Sequence, residues 1–215
     1  MNNLIAAFST VALASLADAV DLVCGKRGYM DCSIKPRIND KRFCGPAATV
    51  LEAATDEKVP PQHALDLIDE AAPGSVIVIS IDGGEPNVAV WGGLMTAGAV
   101  ANGHVGAVLD GGVRDLTEIR RDYGFPIYAR EVTPGTTLGR YRTVASQVPV
   151  SVGGVVVHPG DIVVGDVDGV VVVPKDKAAE VLAMAQDIDA REAEQAKLIM
   201  AEKSLRKGLA KYGRI

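Results

Sequence analysis

The sequence has few aromatic residues, no surplus of positive charge and no long apolar run. Phe, Trp and Tyr make up only 4% of the 215 residues, whereas hydrophobic residues of all kinds make up 48%. The core must therefore consist mainly of Val, Ile, Leu and Ala. The formal net charge of −5 does not suggest the basic patch that nucleic-acid-binding domains usually carry. No apolar run reaches the length of a membrane span. We therefore expect neither a nucleic-acid partner nor a membrane partner.

Cysteine and histidine are also scarce. The three cysteines, Cys24, Cys32 and Cys44, are an odd number without Cys-x-x-Cys spacing. This pattern argues against a disulfide framework and against a zinc knuckle. The three histidines lie far apart in the sequence and share no metal-ligand spacing. A reducing, cytoplasmic compartment is the expected location.

The N-terminal segment is apolar but does not have the pattern of a signal peptide. No Lys or Arg precedes residues 4–16, and signal peptides carry positive charge at that point. Leu13, Leu16 and Val20 fall instead on one face of a helix. We expect a mature N-terminal helix with Ser9 as its N-cap.

The first two thirds of the chain alternate between strand-like and helix-like segments. Residues 76–81 form a continuous β-branched run, which is typical of a strand buried on both faces. Residues 105–109 predict a second buried strand. Proline in first turns and Asn-Gly after last turns mark the helix boundaries. The other predicted elements are a strand at 45–51, helices at 60–72, 92–102 and 115–123, and a short strand at 126–129.

From residue 148 onward the pattern changes. Short valine-rich runs at 155–157, 162–164 and 170–173, separated by turns that contain Gly or Pro, predict antiparallel hairpins. A long helix is predicted over about 176–211, with Asp176 as its N-cap. The sequence therefore predicts a single α/β domain over residues 1–215. It has a parallel β-α-β-α centre, a hairpin-rich second half and a long C-terminal helix.

Two glycine-rich turns follow the two buried strands of this centre. The first is Trp91-Gly92-Gly93-Leu94-Met95, and the second runs over residues 110–115. In parallel sheets ligands bind at the carboxyl edge of the strands, where helix N-termini and loops converge. Free N–H groups at the start of a helix favour an anion such as a carboxylate. We therefore predict a site for a small carboxylate at this edge, and we interpret Trp91 as a core anchor.

The second turn adds a guanidinium and a carboxylate. Arg114 suits bidentate binding of a carboxylate, and Asp115 alone can hold a hydrated Mg²⁺ or Mn²⁺. A structural interpretation competes, because Asp115 and Glu118 have the spacing of a capping box and Arg114 would then form an ordinary surface salt bridge. Asp82 and Glu85 are further acids that either reach metal-bound water or are solvated. The residues alone leave these alternatives open.

The spacing of these residues resembles that of a known enzyme family. The chain has Gly93, then twenty residues, then Arg114-Asp115, then two residues, then Glu118. This arrangement is similar to the signature of class II pyruvate aldolases that cleave 4-hydroxy-4-methyl-2-oxoglutarate. These enzymes belong to the wider family of the regulator of ribonuclease E activity A (RraA). The resemblance extends over most of the chain. It includes Gly45-Pro46-Ala47, Pro73-Gly74, Asp110-Gly111, Pro159-Gly160-Asp161 and the segment 168–174.

The resemblance implies a fold and a set of roles. It implies a three-layer β/β/α arrangement and a homotrimer or homohexamer, with the C-terminal helix packing at the subunit interface. The backbone of Gly92, Gly93, Leu94 and Met95 and the side chain of Arg114 would hold the pyruvoyl end of the substrate. Asp115 would bind the metal, Mg²⁺ or Mn²⁺.

The resemblance also implies a glutamate from a neighbouring subunit that contacts metal-bound water. Glu192 and Glu194 are the candidates. Glu192 continues the apolar helical stripe of Val181, Ala185 and Ile188, and a carboxylate on a packing stripe is costly without a partner. The stripe therefore favours Glu192 as this residue. With Arg114 and Asp115, whose roles the resemblance implies, Glu192 completes the expected set of catalytic residues.

The expected activity is metal-dependent retro-aldol cleavage of a 4-hydroxy-2-oxo acid to pyruvate and a second keto acid. Oxaloacetate decarboxylation passes through the same enolate and is expected as a side activity. The alternative is a non-catalytic RraA-type protein that binds and inhibits a ribonuclease E complex. Glu118 favours the enzyme, because the acid after Arg-Asp is part of the aldolase signature.

Overall fold

The β-branched segments pair into one mixed sheet in a computed structural model that describes residues 2–83 and 87–210. Within these residues the main sheet has nine strands, and a separate hairpin has two. The strands are β1 (Lys35–Pro36), β2 (Phe43–Ala54), β3 (Val76–Asp82), β4 (Ala89–Trp91), β5 (Gly106–Val113), β6 (Ile127–Val132), β7 (Tyr141–Ser146), β8 (Val150–Val152), β9 (Val155–Val157), β10 (Ile162–Asp166) and β11 (Gly169–Val173).

The helices predicted between the strands are present with small shifts in their bounds. α3, α4 and α5 correspond to the predicted helices at 60–72, 92–102 and 115–123. The helices of the described residues are α1 (Asn2–Phe8), α2 (Leu13–Cys24), α3 (Gln62–Glu70), α4 (Gly93–Ala101), α5 (Leu116–Asp122), α6 (Ala178–Glu202) and α7 (Leu205–Leu209). None of them combines the length and the apolar character needed to cross a membrane.

The centre of the main sheet is parallel, as predicted. Its strand order is β1-β6-β5-β3-β2-β10-β11. β2, β3, β5 and β6 run parallel to one another, whereas β1 pairs antiparallel with β6, β10 pairs antiparallel with β2, and β11 pairs antiparallel with β10. β4 and β7, which were not predicted, pair with β5 and β2. Continuous β-branched sequence suits the central strands because both of their faces are buried.

Helices and a hairpin cover the two faces of this sheet. α3, α4 and α5 enclose one apolar core, which includes Ile77, Ile79 and Leu109. The β8–β9 hairpin covers the opposite face, where Val76 and Val78 pack. A further core forms where α1, α2 and α6 pack on β10 and β11. The molecule is therefore a layered α/β domain of the predicted β/β/α type.

The N-terminal region differs from the prediction. The expected single helix is two helices, and Ser9 follows the first instead of capping the second. Its hydroxyl donates to the carbonyl oxygen of Ile5 at 3.0 Å, which satisfies an acceptor at the end of α1. Ala12 occupies the N-cap position of α2, so the assignment of Ser9 as N-cap was wrong.

The predicted helix of residues 176–211 is also interrupted. α6 has Lys177, not Asp176, at its N-cap position, and no side chain caps it. It ends where Lys203 adopts the left-handed conformation, with φ of 49°. The Ser204 hydroxyl then caps α7 by accepting a hydrogen bond from the backbone N–H three residues later. Residue 211, where the predicted helix ends, lies outside the described residues.

One ionisable side chain lies inside the sheet core. Glu52 on β2 has 0% exposure, and neither carboxyl oxygen has a hydrogen-bond partner among the described residues. It lies beside Ile81 of β3 and Thr143 of β7, where the β2–β7 register shifts. Burial raises the pKa of Glu52 from an ordinary value of 4.5 to about 8. The carboxyl group is therefore neutral at pH 7, which avoids an unpaired buried charge.

Glu52 should make the stability of the fold depend on pH. The folded chain holds this proton more tightly than the unfolded chain, so stability falls as pH rises from 4.5 to about 8. The expected slope is about 1.4 kcal/mol per pH unit. Urea unfolding at about pH 5.5 and about pH 7.5 measures the free energy of unfolding at each pH. Between these two values we expect the free energy of unfolding to fall more for the wild type than for Glu52→Gln, by roughly 2–3 kcal/mol at one protein concentration. Equal losses in the two proteins would contradict the burial argument.

Candidate active site

A cleft opens at the carboxyl edge of the parallel strands. Its volume is about 380 Å³, which is in the size range of small-ligand sites. The turns from β4 to α4 and from β5 to α5 form one part of its lining, and the start of α3 and residues 136–138 form the rest. Six residues predicted from the sequence lie together in it: Gly92, Gly93, Leu94, Met95, Arg114 and Asp115.

Asp115 joins the two turns. Its Oδ2 accepts a hydrogen bond of 2.9 Å from the backbone N–H of Gly93, the first residue of α4. Asp115 adopts the left-handed conformation, with φ of 61° and ψ of 33°, a strained state that Asp tolerates better than most residues. Its side chain makes no cap hydrogen bond to its own helix. The capping box with Glu118, the structural alternative for these residues, is therefore not formed, and Asp115 instead binds the first N–H of the neighbouring helix.

Gly92 allows Arg114 and Asp115 to approach the first turn. A Cβ on Gly92 would come within 2.7 Å of Asp115 Oδ2 and 3.1 Å of Arg114 Nε. The ion pair between Arg114 Nε and Asp115 Oδ2 spans 3.6 Å, and both side chains are a little over 40% exposed. Apart from this ion pair at Nε, the Arg114 side chain has no partner within the described residues. Its two terminal amino groups are therefore available to a ligand.

The start of α4 supplies two further donors. The N–H of Gly93 binds Asp115, and the N–H of Thr96 binds the carbonyl oxygen of Gly92. The N–H groups of Leu94 and Met95 have no partner within the described residues, as expected for the first turn of a helix. Two unpaired donors beside a guanidinium form an environment that stabilises a carboxylate.

Trp91 is a core anchor, as interpreted from the sequence. Its ring is 1% exposed and stacks on Phe125 with 6.4 Å between centroids. Its Nε1 donates to Thr96 Oγ1 at 2.8 Å. Leu94, by contrast, is 91% exposed. Trp91 thus fixes the base of the turn while Leu94 stands at the mouth of the cleft.

The second turn is shorter than predicted. β5 continues to Val113, because β4 pairs with it at Gly112 and Val113. Gly112 is needed for close packing, since a Cβ there would come within 2.6 Å of Thr133 Cγ2. Asp110 points towards the β8–β9 hairpin, where it accepts hydrogen bonds from Arg130 and the Gly153 N–H. Burial raises its pKa. The turn itself consists of Arg114 and Asp115.

Glu192 does not line the cleft of its own chain. It is half-buried on the stripe of α6 that contains Val181, Ala185 and Ile188, whereas Glu194 is exposed. This stripe packs in the core formed by α1, α2 and α6, away from the core beneath the cleft. Within one chain, therefore, Glu192 and Asp115 belong to different parts of the molecule.

Metal ligands are few. No group of three or more His, Cys, Asp or Glu side chains within residues 2–83 and 87–210 is arranged to hold a metal. Asp82 is exposed at the end of β3, and Glu85 lies outside the described residues. The acid that lines the cleft, within the described chain, is Asp115.

A comparison with known protein families identifies the family of this chain. The model of the RraA-like family, described as Aldolase/RraA, matches residues 13–172. The chain belongs to this family. The matched segment contains both turns of the cleft and nearly all of the sheet.

Relatives of this RraA-like chain carry three kinds of name. A Halalkalibacterium halodurans protein, provisionally named 4-hydroxy-4-methyl-2-oxoglutarate aldolase, is 35% identical over 192 residues, which cover 86% of this chain and 85% of that protein. Protein DlpA of Legionella pneumophila is 34% identical over 85% of this chain, but this chain spans only 29% of its length. The structure of Streptomyces coelicolor RraAS2, described as an unusual member of the RNase ES inhibitor RraA family, superposes with a TM-score of 0.81. It is 29% identical and is matched over 96% of its chain and 90% of this one.

Part of the cleft was not predicted from the sequence. Pro60, Pro61 and Leu65 at the start of α3 and Thr137 and Leu138 after β6 complete its lining. Only the helix-opening role of the two prolines was visible in the sequence. Apolar residues and threonines carry no chemical signature, so their place at the site depends on the fold.

Alanine substitutions at Gly92 and Gly93 test whether the Asp115 side chain packs against the backbone of Gly92. Gly92→Ala should lower the free energy of unfolding by about 1–3 kcal/mol, because its Cβ would displace Asp115. Gly93→Ala should be neutral or slightly stabilising, because its Cβ would lie 3.5 Å from Asp115 Oδ2 and alanine favours the helix. Urea unfolding measures both. Equal effects would mean that Asp115 is not packed against Gly92.

Proposed function

We propose that the protein is a divalent-metal-dependent lyase that cleaves a 4-hydroxy-2-oxo acid to pyruvate and a second carbonyl compound. The observation that carries this proposal is the convergence of Arg114, Asp115 and the free N–H groups of α4 in one cleft. The names of the aldolase relatives support the same reaction class. The substrate that they name, 4-hydroxy-4-methyl-2-oxoglutarate, belongs to this class.

The side chains and backbone of the cleft have complementary tasks. The N–H groups of Leu94 and Met95 bind the substrate carboxylate, as helix N-termini bind anions. Arg114 donates to the keto oxygen and stabilises the negative charge that develops there as the C3–C4 bond breaks. The C4 hydroxyl loses its proton, the C3–C4 electron pair forms the pyruvate enolate, and protonation at C3 completes pyruvate. Decarboxylation of oxaloacetate gives the same enolate, so we propose it as a side activity.

Asp115 fits a hydrated hard cation. One carboxylate oxygen, Oδ2, accepts a hydrogen bond from the Gly93 N–H, whereas Oδ1 has no hydrogen-bond partner among the described residues. A single free carboxylate oxygen suits Mg²⁺ or Mn²⁺, which keep most of their waters. When bound, such an ion would supply Lewis-acid polarisation of the substrate oxygens. The bond to Gly93 orients the carboxylate. No other carboxylate or imidazole lines the described cleft, so we assign proton removal to a water held near Arg114.

We further propose that the enzyme is a homotrimer or homohexamer whose site is completed by Glu192 of a second copy. Glu192 lies on α6, outside the cleft of its own chain, on the stripe that continues Ile188. A carboxylate in that position needs a partner. A repeated interface in a closed ring would bring it to the same place in every subunit.

The second candidate is a non-catalytic inhibitor of a ribonuclease E complex. The structural similarity to the Streptomyces coelicolor RNase ES inhibitor family favours it. Such a role would not require the donors at α4, the free oxygen of Asp115 or the exposed guanidinium of Arg114. The aldolase proposal uses all three.

The decisive measurement is pyruvate release from 4-hydroxy-2-oxo acids and from oxaloacetate. We expect release in the presence of Mg²⁺ or Mn²⁺, loss of release after EDTA treatment, and recovery when the metal is restored. Turnover that persists after complete chelation would remove the metal from the mechanism. Absence of pyruvate with every compound, combined with inhibition of ribonuclease E, would favour the second candidate.

Arg114→Lys tests the role of the guanidinium group in the same assay. It keeps the positive charge but loses the planar donor fork. We expect kcat/KM to fall by at least about a hundredfold, as when one charge-stabilising donor is lost. Unchanged kinetics would mean that the activity arises elsewhere.

Mixing variants tests whether the site is shared. Asp115→Ala and Glu192→Ala should each be inactive as pure oligomers. After partial unfolding and joint reassembly, some interfaces combine an intact Asp115 with an intact Glu192. We expect activity to return, with a maximum near equal amounts of the two variants. Mixed oligomers without activity would show that Glu192 does not serve a neighbouring site.

A further inference from the structure

The part of the cleft contributed by α3 and residues 136–138 is mainly apolar. Pro60 and Pro61 line it just before α3, Leu65 lines it from α3, and Leu138 lines it from the turn after β6. Leu65 is 38% exposed and Leu138 is 45% exposed, so both side chains are open to a ligand. Among the described residues, the polar neighbours in this part of the lining are two threonines. This surface suits a hydrocarbon group.

Arg114 is the one cationic side chain that lines the cleft within residues 2–83 and 87–210. Two other cations lie near the 136–138 turn but do not belong to the lining. Arg140 donates to the carbonyl oxygen of Thr136 at 3.1 Å. Lys58 packs along Gly139. The part of the lining that one chain supplies within these residues therefore provides for one carboxylate, at the Arg114 end.

A second carboxylate at this wall would lie against apolar side chains, without a cationic partner among the described residues of the lining. Taking a carboxylate out of water without such a partner is costly. 4-Hydroxy-4-methyl-2-oxoglutarate carries a carboxylate at each end, so it matches the cleft at one end only. A hydrocarbon group at the distal end would bury Leu65 and Leu138 favourably.

We propose, on the basis of the function proposed above, that this enzyme acts on monocarboxylate 4-hydroxy-2-oxo acids with a short alkyl group on C4. The C3–C4 bond breaks and the C4 hydroxyl proton leaves. C4 with its alkyl group departs as an aldehyde, or as a ketone where C4 carries two alkyl groups. The bond electrons form the pyruvate enolate, which takes up one proton at C3. The balance needs no oxidant, reductant or further co-reactant.

Two compounds that differ at one position provide the test. 4-Hydroxy-2-oxopentanoate carries a methyl group where 4-hydroxy-2-oxoglutarate carries a carboxylate. Both are offered to the wild-type oligomer with Mg²⁺, and pyruvate release is followed. We expect kcat/KM to be at least about tenfold higher for the pentanoate, because the apolar wall leaves the second carboxylate unpaired.

A charge placed on the wall should reverse this preference. Leu138→Arg adds a guanidinium at the rim and should shift the ratio of kcat/KM values by at least about tenfold towards the glutarate. Val144→Arg is the matched control, because Val144 is 46% exposed on β7 and does not line the cleft. It should leave the ratio unchanged. Size-exclusion chromatography of both variants establishes that the oligomer is intact.

The outcomes are distinguishable. A preference of the wild type for the pentanoate, moved by Leu138→Arg but not by Val144→Arg, supports the inference. Equal or better cleavage of the glutarate overturns it while the aldolase function stands, and would mean that a second copy of the chain supplies a cation. Equal shifts in the two variants overturn the role of the Leu138 wall. Pyruvate from neither compound, nor from any other 4-hydroxy-2-oxo acid, removes the proposed function and this inference with it.

Discussion

The hydrogen bond from the Gly93 N–H to the Asp115 side chain holds two strand–helix turns together at one edge of the sheet. Because Asp115 caps α4 rather than its own helix, the start of α4 and the start of α5 are fixed relative to each other. The bond requires a left-handed backbone at Asp115 and the absence of a side chain at Gly92. It therefore determines where Arg114 and the free N–H groups of α4 point.

This contact gives Asp115 a structural role that is compatible with the proposed metal site. A carboxylate has two oxygens, and here one serves the fold while the other remains available at the cleft. Strain of this kind is retained at functional sites when the surrounding structure holds the residue in place. Trp91, packed on Phe125 and bonded to Thr96, provides that rigid support beneath the first turn. A rigid base is what precise placement of a substrate requires.

The cleft is chemically asymmetric. One end has a guanidinium, a carboxylate and two backbone donors, whereas the remaining lining is dominated by proline and leucine. Both ends lie within the segment that the RraA-like family model matches. The two ends differ in chemistry, so they would contact different parts of a bound molecule.

The sequence alone determined the elements whose patterns are local. Buried β-branched runs predicted the parallel centre, and glycine and proline marked α3, α4 and α5. The spacing of Gly93, Arg114 and Asp115 indicated two turns that the fold brings together in one cleft. The tertiary structure decided what depends on distant partners. β4 pairs with β5 at Gly112 and Val113, so β5 continues past Asp110. The Asp110 side chain therefore bonds Arg130 and does not belong to the turn at the cleft. Only the folded chain brings α3 and residues 136–138 to the same edge, because their residue types carry no signal of the contact. The partner of Asp115 was decided in the same way. A capping box is a local pattern, but a bond across twenty-two residues exists only once the sheet has aligned its two turns.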